Sequence, residues 1–356
     1  MKAIRGWFLS ALVVCLSLCG SPASAENRPV TGKKATAFGP IDRAALEFMD
    51  KVGCQAATVA VSKDGRLLYS RGYGWSDQAK RKPVQPDALM RIASVTKPIT
   101  AAAVKSAVHA KLLSLDAKAF ELIAIKPPGG KVVDARIYKI TVGHLLEHKG
   151  GWDGASSFDP MFRATQIENE LRLGHPTTPV DVIAYMLTKP LQFAPGEKTA
   201  YSNFGYCVLG RVLEKVYKKP YSDCIQQVIT KPLGIKDIKL GHAALNKRDT
   251  REAWYPVGES AFPFDVMDSH GGLIASAPAL CQFLRSYWIS GDPRLKGQRA
   301  QYTFFGNIPG TTAMVRQRED GVNLAILFNG RRDAHFAEDN DALKDAIDKA
   351  LDKAGK

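Results

Sequence analysis

No stretch of the chain beyond residue 25 is apolar for long enough to cross a bilayer as a helix. Internal repeats and low-complexity tracts are also missing, which excludes solenoids and biased linkers. Long blocks of one charge are absent too. Lys and Arg number 49 against 35 Asp and Glu, a net charge of +14, yet the cations are scattered and no nucleic-acid motif occurs. A nucleic-acid partner is therefore not expected. The six cysteines show no metal-ligand spacing. Neither a metal nor an organic cofactor is expected.

The first 25 residues have the layout of a secretory signal. Lys2 and Arg5 begin it, Phe8 to Leu18 is a short apolar run, and Ala23-Ser24-Ala25 is a small-residue cleavage site. Cys15 and Cys19 follow the bulky Val14 and Leu18, which disfavours lipoprotein processing. Export to the periplasm or the medium is expected, without stable membrane insertion after cleavage. Loss of Lys2 and Arg5 would leave a net charge of +12. Cys54, Cys207, Cys224 and Cys281 remain. They can pair in three ways, or stay as buried free thiols. Residues 26–40 read as a flexible leader and 41–356 as one domain.

Ile41 to Val52 has helical spacing. Thr58 to Ser62 and Arg66 to Tyr73 read as strands joined at Asp64-Gly65, a hairpin-turn pair. Helices are expected from Ser94 to about Leu113, over Ile140 to His148, Pro179 to Leu187, Phe204 to Tyr217 and Tyr221 to Ile229, and from Ser276 through Trp288. Trp152 to Thr178 is a long insertion with few periodic signals. Thr311 to Arg318 and Val322 to Phe328 flank a Glu319-Asp320-Gly321 turn, and Ala337 to Leu351 is amphipathic. Strands thus gather at both ends. The fold class is α+β: one antiparallel sheet built from both chain ends and flanked by helices, with a mostly helical lobe over roughly 96–290 and a cleft between.

The chain is organised around Arg91-Ile92-Ala93-Ser94-Val95-Thr96-Lys97. On a helix opening near Ser94, Lys97 lies one turn on, on the same face. A serine hydroxyl needs a base, and a buried lysine with a lowered pKa can be that base. A second cluster follows, Phe193-x-Pro195-Gly196 and then Tyr201-Ser202-Asn203-x-Gly205-Tyr206. Together these resemble the serine β-lactamase and penicillin-binding protein superfamily. The likeness is to its branch of class C β-lactamases, D-alanyl-D-alanine carboxypeptidases and family VIII esterases. Ile140-Thr141 to His148 and Gly271-Gly272-Leu273 with Ser276 extend the resemblance over about residues 40–330. It implies Ser94 as acylated nucleophile and Lys97 with Tyr201 as general base and acid. It further implies Asn203 as a hydrogen-bonding partner of Lys97 and of the substrate.

That branch usually carries Lys-Thr-Gly or His-x-Gly on a strand facing the serine. Here the corresponding run is Phe304-Phe305-Gly306-Asn307, followed by Pro309-Gly310. Gly306 would leave room for substrate, and the Asn307 N–H would complete an oxyanion hole with that of Ser94. Phe304 cannot hydrogen-bond or pair with a carboxylate. This disfavours β-lactams and peptide C-termini and favours a small ester, amide or peptide with a neutral acyl group. Trp152 follows the Gly150-Gly151 pair and is a further candidate for lining the cleft. A rival motif, His144-x-x-Glu147-His148, has a zinc protease spacing. A non-catalytic binding or envelope-scaffold role is the other alternative.

Overall fold

The computed structural model describes residues 28–258 and 262–354. The signal segment and its cleavage site lie outside the described residues. Six strands form one antiparallel sheet in the order β1-β3-β2-β9-β8-β7. They are β1 Val30–Thr31, β2 Ala56–Lys63, β3 Arg66–Gly74, β7 Tyr302–Ile308, β8 Thr311–Gln317 and β9 Val322–Phe328. Both chain ends therefore build the sheet, with β2 paired to β9 at its centre. The β2–β3 turn has positive φ at both Asp64 and Gly65, the backbone twist that suits a two-residue hairpin.

The central strands are covered on both faces, which is why they read as near-continuous apolar runs. On β2 the outward side chains Ala57, Val59 and Val61 join Leu324, Ile326 and Phe328 of β9. Against them pack α1, Gly39–Val52, and α11, Phe336–Ala354. The inward side of β2 carries the smaller Ala56 and Ala60, and α10, Ala277–Ser286, packs there.

The remaining helices form the lobe: α2 Thr96–His109, α3 Ala119–Ile123, α4 Val142–Leu146, α5 Ala164–Leu171, α6 Pro179–Met186, α7 Asn203–Tyr217, α8 Tyr221–Ile225 and α9 Asp268–Gly271. A second sheet, β4-β6-β5, lies within the same span, from Met90–Arg91, Leu273–Ala275 and Ile238–Leu240. Among the described residues no helix is long and apolar enough to cross a membrane.

Four expectations change. Part of the expected leader is ordered: Val30 and Thr31 pair with Tyr73 and Gly72, since the outer edge of β3 offers unpaired backbone groups. The helical lobe ends before α10, whose apolar face packs on β2 and β9. Helix α4 stops at Leu146, and His148 stands beyond it at φ 57°. The four cysteines of the described residues are buried as free thiols. Burial pushes the Cys54 and Cys281 thiols up to about 12.

Candidate active site

Three backbone devices bring the motif residues together. The first is the entry to α2. Arg91 on β4 places its guanidinium 4.2 Å from the ring centres of both Tyr255 and Phe264, which anchors the strand. Ala93 then adopts φ +45°, a left-handed conformation rare for alanine. A single 3₁₀ turn over Ala93–Val95 leads into α2, so Ser94 stands just before the helix and Lys97 in its first turn.

The second device is the start of α7. Ser202 is its N-cap, accepting from the Gly205 N–H at 3.1 Å. Tyr201 precedes the cap and Asn203 follows it. The approach to Tyr201 runs beside residues 148–151, with the Gly196 N–H on the Lys149 carbonyl and the Ala200 N–H on the His148 carbonyl, each at 2.9 Å. The Ser202 N–H donates to His148 Nδ1 at 3.1 Å, and the His148 ring lies 4.7 Å from that of Tyr201.

The third device is β7, the sheet's edge strand. A Cβ added at Gly306 would stand 2.1 Å from the Ile92 carbonyl oxygen and 3.0 Å from the Ser94 nitrogen. Only glycine lets the strand lie this close to the turn that carries Ser94. Phe304 projects from the same face of β7 and packs on the lobe-side core. Phe305 packs on the outer core instead. The Asn307 amide oxygen is buried without a partner, so its side chain is not a substrate donor held in place.

At the meeting point Ser94 Oγ has two partners. Lys97 Nζ lies 3.0 Å away, and the Tyr201 hydroxyl donates to it at 2.8 Å. Lys97 Nζ also donates to Asn203 Oδ1 at 2.6 Å and to the His270 carbonyl at 2.8 Å. Its side chain is fully buried, and desolvation lowers its pKa from 10.5 to about 7, with the Asp159 carboxylate opposing. Tyr201 is about half exposed, but its hydroxyl end is desolvated, which pushes the phenol up to about 12. Burial and then the Lys97 charge lower His148 to about 4. The charge-bearing base is thus Lys97, while Tyr201 stays protonated.

Sequence reasoning missed three contributors. Asp159 accepts from Asn203 Nδ2 at 2.6 Å, the His270 carbonyl holds Lys97, and His148 braces Tyr201. An Asp-Pro pair reads as a turn start, and nothing local signals its reach to Asn203. Trp152 is corrected: it is 4% exposed, enclosed by Phe120 and Phe204, and is a core residue of the lobe rather than a cleft wall. The zinc spacing loses its basis as well, because His144 and His148 do not share a helix. His144 Nδ1 accepts from the Thr141 N–H, closing a capping box, while His148 Nδ1 accepts from Ser202.

Residues 41–337 match the model of the Beta-lactamase family. The chain is 32% identical over 246 residues to a probable fimbrial assembly protein, FimD of serogroup H1, from Dichelobacter nodosus, covering 67% of this chain and 59% of that protein. It is 31% identical over 194 residues to the esterase EstB of Burkholderia gladioli, covering 51% and 46%. The chain thus spans about half the length of the curated relatives it matches. Among solved structures, the D-amino acid amidase of Ochrobactrum anthropi SV3 complexed with L-phenylalanine superimposes with a TM-score of 0.66 at 21% identity, over 89% of this chain and 100% of that one.

Proposed function

The chain belongs to the beta-lactamase family of serine hydrolases, and we propose that it is an exported enzyme that cleaves an ester or amide through an acyl-enzyme on Ser94. The observation that carries the reading is the state of Lys97. A neutral amine has two N–H donors and one lone pair. With Asn203 Oδ1 and the His270 carbonyl taking the two donors, the lone pair is left for the Ser94 hydroxyl. Ser94 then passes its proton to Lys97 Nζ as Oγ bonds to the substrate carbonyl carbon.

The oxyanion would face the N–H groups of Ser94 and Asn307. Ile308 and Thr311 close the two-residue Pro309-Gly310 turn, so theirs is a hydrogen-bonded pair. Alternation then turns the Asn307 N–H away from β8, toward the open edge. Tyr201 protonates the leaving group as the C–O or C–N bond breaks, and the proton held on Lys97 restores the phenol. Water repeats the sequence on the acyl-enzyme and releases the acid. Phe304 supplies no cation for a substrate carboxylate, which favours neutral esters and amides over penicillins. No step uses a metal or an organic cofactor.

The reading fixes a pH dependence. Lys97 must be neutral to act, and its folded pKa is depressed to about 7, so kcat/KM is expected to rise with pH through an acid limb near 7. The charged or titratable groups around it are Asp159, His148, His270, Tyr201 and Tyr206. The two histidines are held neutral there and both phenols protonated. A profile with p-nitrophenyl butyrate checks this. A limb that lies near the ordinary lysine value, or no limb at all, would contradict it.

A second reading, an envelope-assembly role without turnover, draws on the fimbrial assembly relative and on Phe304. Retention of the cellular role by a Ser94→Ala variant would favour it.

A further inference from the structure

The hydrogen-bonded chain from the nucleophile does not end at Asn203. Asn203 Nδ2 donates to Asp159 Oδ2 at 2.6 Å, so one side-chain amide separates the Asp159 carboxylate from Lys97 Nζ. The other oxygen, Oδ1, accepts from the Met161 N–H at 3.0 Å and caps the short turn Pro160–Phe162. A carboxylate offers about four lone-pair directions, and these two contacts leave about half of them open. Asp159 is partly exposed, and among the described residues it has no cationic partner within ion-pair distance. Elsewhere in this chain partly buried aspartates do find one, as Asp134 does with Arg136 and Asp339 with Lys51 and Arg332.

The charge balance around Ser94 is therefore inverted relative to a site that grips a carboxylate. The strand residue facing the cleft is the apolar Phe304. The neighbouring histidines, His148 and His270, carry no proton to spare, and the one amine, Lys97, is turned inward onto three acceptors. What remains at the mouth is an unpaired carboxylate beside Asn203. We propose that Asp159 is a specificity residue, selecting substrates whose acyl portion carries a positively charged nitrogen. The inference rests on the reading of Ser94 as the nucleophile. The bond made and broken is unchanged. The cation stays intact and is held by charge attraction, with hydrogen bonds where it has N–H groups.

The test uses two fluorophosphonates that differ only in the end of the P-alkyl group, one trimethylammonium and the other the isosteric tert-butyl. Each forms a covalent bond from Ser94 Oγ to phosphorus with loss of fluoride, so intact mass gives the rate without any known substrate. The cationic probe is expected to label the full chain about 10-fold faster than the neutral one. In Asp159→Asn, which keeps an acceptor for Asn203, that ratio is expected to fall to about one. Equal rates on the unmodified protein would overturn the proposal. So would a ratio preserved in Asp159→Asn while both rates drop together, because that is the signature of a residue that only positions Asn203. Should the variant fail to fold, salt provides the second readout on the unmodified protein. Between about 20 mM and about 1 M NaCl the ratio is expected to collapse, and a salt-independent ratio would overturn the proposal. Absence of adduct with both probes would instead remove the nucleophile itself.

Discussion

Replacing Lys97 with methionine is expected to lower kcat/KM on an ester substrate by about 10³-fold or more while the protein stays folded. The loss follows from the geometry: Lys97 Nζ is the one basic atom within hydrogen-bond distance of Ser94 Oγ among the described residues, and a thioether cannot take a proton. Tyr201 does not substitute for it, because its phenol is held protonated, at about 12, and is itself the donor to Ser94. Folding is expected to survive because two effects oppose each other. Burial penalises the lysine charge, shown by its fall from 10.5 to about 7, a cost of a few kcal/mol that methionine avoids. Against this, Asn203 Oδ1 and the His270 carbonyl lose a donor, at about 1–3 kcal/mol each. The two nearly offset, so the melting temperature should move by only a few degrees. Assaying activity and thermal unfolding on one preparation checks both halves, and substantial residual activity would mean another base is in use.

The second large effect is expected from the smallest possible change on β7. In Gly306→Ala the new methyl would stand 2.1 Å from the Ile92 carbonyl oxygen, 3.1 Å from its carbon and 3.0 Å from the Ser94 nitrogen. All three are backbone atoms on a turn already held at a positive φ, so no side chain can give way. The edge strand has to move instead, and it is bound on one side alone, by β8. That displacement carries the Asn307 N–H away from the place where it would meet the oxyanion. Loss of one such donor costs about 10²–10³-fold in kcat. Gly39→Ala is the matched control. A Cβ there meets nothing within 4 Å, and the residue sits in ordinary helical geometry with φ −53° at the start of α1. It should leave both activity and stability unchanged. Equal activity in the two variants would show that β7 need not approach Ser94 closely.

How much of this was legible in the sequence depended on whether a feature was local. Ser94-x-x-Lys97 could be read because one helical turn by itself sets that spacing. Tyr201 and Asn203 could be read because they bracket an N-cap. The two-ended sheet could be read because β2, β3, β8 and β9 each carry a strong pattern and a turn. Features made by distant parts of the chain were hidden. Asp159 meets Asn203 across 44 residues, and Lys97 meets the His270 carbonyl across 173. Trp152 looked like a cleft residue from its glycine neighbours, yet Phe120 and Phe204, supplied by two other helices, enclose it. The strands β4 and β6 are two and three residues long, too short for any period to show. Helix α5 buries a single residue, Ile167, and so leaves almost no apolar stripe. The zinc-like spacing misled because a helix was extended through His148, where the backbone has already turned left-handed.

The central claim is that Ser94 is an activated nucleophile. Its most direct test is the intact mass of the purified protein after exposure to a fluorophosphonate and, separately, to a penicillin, with Ser94→Ala alongside. The account predicts one fluorophosphonate adduct on the unmodified protein and none on Ser94→Ala, with slower or no acylation by penicillin because Phe304 offers its carboxylate no partner. An absence of fluorophosphonate adduct on demonstrably folded protein, or an adduct that persists in Ser94→Ala, would contradict it.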